Sequence, residues 1–135
     1  MIEINNLSRF SIDKKKFSTV AKKVLKGENR KTETLSLAFV SREEIKKLNK
    51  KFRKKNKATD VLSFELKEKN HLGEIIICPD IVKENAKKYG VPIKQEMAKV
   101  FVHGILHLLG YDHEGTKERA RVMEGLEKKY LEKIF

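Results

Sequence analysis

The apolar positions change their period several times along this chain, and each change marks an element. Ile2 and Ile4 fall on one face of a short alternating stretch, Met1 to Asn5, which reads as a strand. Ser11 or Asp13 can cap a helix running to about Lys26. Its apolar residues Phe17, Val20, Ala21, Val24 and Leu25 recur at helical spacing, and Gly27 stands just past the end. Thr34 to Val40 is β-branched and apolar over a strand's length. Ser41-Arg-Glu-Glu44 then reads as a capping box opening a second helix, with Ile45, Leu48 and Phe52 on its buried face. Val61-Leu-Ser-Phe64 is strand-like, Asn70-His71 makes a turn, and Leu72 to Cys78 has an uninterrupted apolar centre that suits a central strand buried on both faces. Pro79-Asp80 begins a helix that reaches Tyr89 and stops at Gly90. The next helix, about Lys94 to Leu109, buries Met97, Val100, Phe101, Gly104, Ile105 and Leu108. After a loop from Gly110 to Gly115, Thr116 to Ile134 forms a last helix with Met123, Leu126, Tyr130 and Ile134 inward.

This order of elements predicts one α+β domain over residues 1–135. It has about four strands in a mixed sheet and about five helices layered against it; the strand order is not set by the pattern. A chain of 135 residues suits a single domain, and 39% hydrophobic residues with clear periodicity exclude global disorder. No apolar run approaches the ~20 residues that span a bilayer, and the N-terminus lacks the basic start and apolar middle of a signal peptide, so no membrane partner and a cytoplasmic location are expected. Cys78 is the single cysteine, which rules out an internal disulfide and a cysteine-based zinc site. Any transition metal has to be held by histidine and carboxylate.

Charge changes the picture more than composition does. The net charge is +12, yet residues 1–60 hold 18 Lys/Arg against 7 Asp/Glu while residues 61–135 hold 13 against 12, so the basic surface belongs to the first half. Six of the eight residues from Lys50 to Lys57 are basic: Lys50, Lys51, Arg53, Lys54, Lys55 and Lys57. They read either as a loop that contacts phosphates or as a solvated helix end where cations are favoured. A polyanionic partner, most often nucleic acid, fits the first reading; a Lys- and Glu-rich surface of the thermophilic kind fits the second. With 7% aromatic residues and no tryptophan, base stacking looks secondary to backbone contact.

Three of the four histidines fall within eleven residues. His103 and His107 are four apart, so they sit one above the other on a helix of about 3.6 residues per turn, on a stripe next to the buried one. Gly110 can end that helix and swing His113 back toward them, which places the metal site on the penultimate helix and the following loop. Three protein ligands with an open fourth position describe a catalytic zinc site, and nitrogen donors without thiolate favour zinc, with nickel or another divalent metal also accepted. Asp112 serves either to orient a ligand or to make the turn. His71, in a polar stretch with no helical spacing to the cluster, reads as an ordinary surface residue. The histidine spacing is that of zinc peptidases, but their general-base Glu directly follows the first histidine, and here Gly104 stands there. A peptide hydrolase is therefore disfavoured, and Gly104 instead suits close approach of the sheet or of a substrate.

The segment His103-Gly-Ile-Leu-His-Leu-Leu-Gly-Tyr-Asp-His113 resembles the signature of the YbeY family of bacterial endoribonucleases and rRNA maturation factors. Leu48-Asn49, Arg53, Thr59-Asp-Val-Leu-Ser-Phe64 and Leu72-Gly-Glu-Ile-Ile76 resemble further segments of that family in the same order, with Glu74 where aspartate is more usual. The likeness covers roughly residues 45–126; the first 40 match in layout only. It implies a single-strand-specific, metal-dependent endoribonuclease that matures 16S rRNA 3' ends and takes part in ribosome quality control. It also implies rRNA and the small ribosomal subunit as partners, with no DNA specificity. By that resemblance His103, His107 and His113 are ligands of one Zn2+ per chain and Arg53 is the functional residue at phosphate, a role for which its planar fork suits it better than a lysine. A non-catalytic ribosome assembly factor with a structural metal is the remaining competitor.

Overall fold

The computed structural model describes residues 2–111 and 116–132, apart from the side chain of Lys67. Nine elements follow one another as β1 (Ile2–Asn6), α1 (Lys14–Gly27), β2 (Thr34–Phe39), α2 (Arg42–Arg53), β3 (Val61–Glu68), β4 (His71–Ile77), α3 (Pro79–Tyr89), α4 (Ile93–Leu108) and α5 (Lys117–Leu131). The helix starts have local causes. Asp13, rather than Ser11, caps α1 by accepting from the Lys16 N–H at 3.1 Å; Ser41 caps α2 by accepting from Glu44; Thr116 caps α5 by accepting from Arg119.

The four strands lie in the order β1-β2-β4-β3. β1, β2 and β4 are parallel, and β3 joins β4 as an antiparallel hairpin, so β4 is interior and β3 is an edge. Alternation along the strands splits the core in two. Leu35, Leu37, Phe39, Ile75 and Ile77 pack with α1, α4 and α5; Leu62, Ile76 and Cys78 pack on the other face with Val40 and with Ile45 of α2. In the larger core Phe17 meets Phe39 and Phe101 edge to face at 5.2 and 5.5 Å. The helix that carries the histidines and the helix that carries the basic cluster thus lie on opposite faces of one sheet.

Three local expectations are corrected. β3 runs to Glu68, so His71 opens β4 as a half-buried strand residue instead of lying in a polar loop. α5 ends at Leu131, with Glu132 already extended at ψ 136°; Ile134 lies outside the described residues. Phe52 is not buried but 54% exposed. The last turn of α2 reaches the edge strand, beyond which no further strand extends the sheet among the described residues, and Phe52 leans on Phe64, with ring centroids 5.3 Å apart.

Candidate active site

α4 presents two of the three expected metal ligands. His103 is half-buried, and its Nδ1 lies 2.7 Å from Oε1 of Glu127 on α5, whose side chain is only 8% exposed. The buried carboxylate accepts the Nδ1–H and so makes Nε2 the nitrogen that carries the lone pair, the arrangement that prepares an imidazole to bind a metal. His107 follows one turn later and is exposed. The helix then ends as its sequence demands. Gly110 takes φ 103°, its N–H bonds to the His107 carbonyl, and the Tyr111 N–H bonds to that of Leu106, so the chain turns sharply just before the third histidine. His113 and Asp112 lie outside the described residues, and among those described no cluster of three metal-ligating groups is present. The donor set nevertheless fits a divalent metal that prefers imidazole: two histidines share one helical face, and one has its tautomer fixed from behind.

The chain just past the end of α4 is tied down at Tyr111. The Tyr111 hydroxyl donates to Oε1 of Glu28 at 2.5 Å, and the Tyr130 hydroxyl donates to the other oxygen of the same carboxylate. This joins the end of α1, the start of the loop and α5. The shared carboxylate, by hydrogen bonding, raises the Tyr111 hydroxyl above its ordinary pKa; burial and then Glu28 raise that of Tyr130.

Gly104 is one point where α4 closely approaches the sheet. A Cβ there would stand 3.1 Å from Ile75 Cδ1 and 3.2 Å from Ser63 Oγ. Of the two reasons for a glycine at this position, close approach to the sheet is the one observed, and the position has no room for a peptidase's glutamate.

Arg53 reaches the same place from the opposite face. Its guanidinium lies over the Phe64 ring at 5.2 Å from the centroid, and Nη2 donates to the Ser63 carbonyl at 2.6 Å. The Ile77 carbonyl accepts from Val40 on the β2 side, so by alternation Ile75 and its partner Ser63 form a pair without mutual hydrogen bonds, and the Ser63 carbonyl points out from the free edge. Arg53 therefore grips the backbone of a residue whose hydroxyl faces Gly104, between the two histidines. Lys50, Lys51, Lys54, Lys55 and Lys57 are all exposed around it. Buried Asn49 holds the loop that carries Lys54, Lys55 and Lys57: its Nδ2 donates to the Lys57 carbonyl at 2.9 Å, and its own carbonyl accepts from Lys55. His103 also lines a groove at α4 and α5, together with Asp60, Glu96, Glu124 and Glu127 and with Lys99 and Lys128.

Glu127, Glu28 and Ser63 were not singled out from the sequence. Glu127 did leave a signal, a charged residue on the apolar stripe between Met123 and Tyr130. Glu28 left none, and Ser63 stood only as part of the Thr59–Phe64 segment, because their roles depend on residues far away in the chain.

Comparison with known proteins gives the same picture throughout. The family model described as Endoribonuclease YbeY matches residues 3–135. The Endoribonuclease YbeY of Bdellovibrio bacteriovorus is 44% identical over 106 residues, which is 78% of this chain and 70% of that protein. That of Thermosipho melanesiensis is 40% identical over 125 residues, 93% of this chain and 90% of its own. A solution structure of a Thermotoga maritima protein superposes with a TM-score of 0.72 at 36% identity, covering 99% of this chain and 89% of that one. With a family model spanning nearly its whole length and relatives this similar, the chain belongs to the YbeY endoribonuclease family.

Proposed function

We propose that this endoribonuclease cleaves single-stranded RNA, with one divalent metal, zinc in preference to nickel or another ion, held by His103, His107 and His113. When bound, such an ion supplies Lewis acidity for phosphodiester hydrolysis. The chain's own residues do the rest. Glu127 holds His103 in one tautomer, Arg53 neutralises charge that builds on the phosphate, and Lys50, Lys51, Lys54, Lys55 and Lys57 bind neighbouring phosphates. Asp112, next to His113, orients that ligand. The substrate in the cell is rRNA, at the 3' end of the 16S molecule on the small ribosomal subunit, in the cytoplasm; DNA is not preferred.

The observation that carries this reading is the Arg53–Ser63 contact, which brings the first half's positive charge around the sheet edge to the helix that bears His103. The test compares the wild type with His107→Ala and Arg53→Glu on a single-stranded 16S 3' fragment, alongside elemental analysis of the purified protein. The wild type alone should cut efficiently; it and Arg53→Glu should each carry about one metal per chain, and His107→Ala less. Equal cleavage by all three proteins would overturn the assignment.

A further inference from the structure

We propose that Phe52 is a stacking platform for a base of single-stranded RNA, beside the phosphate that Arg53 contacts; this rests on the proposed function and adds a base-recognition residue to it. Phe52 is 54% exposed at a helical position where the apolar spacing calls for burial. Among the described residues, Leu7, Leu66, Tyr89 and Val122 are also large, apolar and exposed, but Phe52 alone lies within the basic run. The ring is also held in place: Phe64 meets it edge to face at an interplanar angle of 65°. Lys51 Nζ is 5.2 Å from its centroid on an exposed, flexible stem, and Arg53 is the next residue. Lys54 turns the chain immediately afterwards in a left-handed conformation, φ 58°, so Phe52 and Arg53 stand at the end of the helix.

An aromatic face bracketed by a lysine and an arginine matches one nucleotide unit, a flat base with a phosphate on either side. Every base has such a face, so the contact tolerates any sequence. In a duplex the bases are already stacked on each other and the ring finds nothing to cover. Strand selection then follows from one exposed side chain, although the composition as a whole is poor in aromatics. The density of positive charge around the ring favours RNA over an apolar protein partner.

Because the chain has no tryptophan, Phe52→Trp makes a single fluorescent reporter. Oligouridylate should quench it, while an abasic oligoribonucleotide of equal length and a duplex should not. In anisotropy titrations Phe52→Ala and Phe52→Leu should each weaken oligouridylate binding about tenfold and leave abasic binding unchanged. Equal losses on both oligomers, no loss, or wild-type binding by Phe52→Leu would overturn the platform, the last pointing to apolar protein docking. If the wild type binds neither oligomer, the RNA-binding reading itself fails, an outcome distinct from a lost difference between them.

Discussion

Glu127 on α5 and His103 on α4 meet through a 2.7 Å contact between a buried carboxylate and Nδ1. The pair fixes the orientation of the ring. Replacing Glu127 with Gln should lower metal affinity about ten- to hundredfold with the fold intact. Competition with a chromophoric chelator measures the first and circular dichroism the second. Unchanged affinity would reduce Glu127 to a structural residue.

Gly104→Glu should not create a peptidase. A Cβ there already presses on Ile75 and Ser63, so the larger side chain forces α4 off the sheet. Overpacking of this kind costs about 1–3 kcal/mol. Urea denaturation should show that loss, and RNA cleavage should fall with it because His103 and His107 flank the displaced residue.

Asn49→Ala removes the donor that holds the Lys57 carbonyl. A lost buried hydrogen bond costs about 1–3 kcal/mol. The visible effect should be local: trypsin should cut among Lys54, Lys55 and Lys57 faster than in the wild type, and RNA affinity should drop while metal binding stays the same.

Both tyrosines on Glu28 have hydroxyls raised above the unfolded value of about 10. Their contribution to stability is therefore full below about pH 10 and is lost as the pH climbs through the folded values. Tyr130→Phe should be less stable than the wild type at neutral pH, and the gap between the two should shrink in alkali. A gap that stayed constant across that range would contradict the shared carboxylate.

If the exposed lysines contact phosphates, the logarithm of RNA affinity should fall linearly with that of salt. Each of Lys54→Ala and Lys55→Ala should then reduce the slope by about 0.7. A slope unchanged by both would assign these cations to solvent.

Much of this was written locally in the chain. The nine elements and their order follow from apolar period and capping residues, since Asp13, Ser41 and Thr116 act on backbone within one turn. The two helical histidines and the turn at Gly110 were legible for the same reason. What could not be read depends on which strand lies where. The exposure of Phe52 follows from β3 being an edge, and the pairing of Arg53 with Ser63 follows from the antiparallel return of β3. Neither arrangement has a local signature. The Tyr111–Glu28 bond spans 83 residues and is equally silent in sequence.

An edge strand offers unpaired backbone groups to any other chain that can align with it. β3 is eight residues long and carries Leu62 and Phe64 on one face, a template that invites intermolecular pairing. Arg53 occupies the outward carbonyl of Ser63 at the middle of that template with a charged group that another strand would have to displace. The residue proposed to meet phosphate thus also covers part of a strand edge, and its replacement should be watched for aggregation as closely as for lost cleavage.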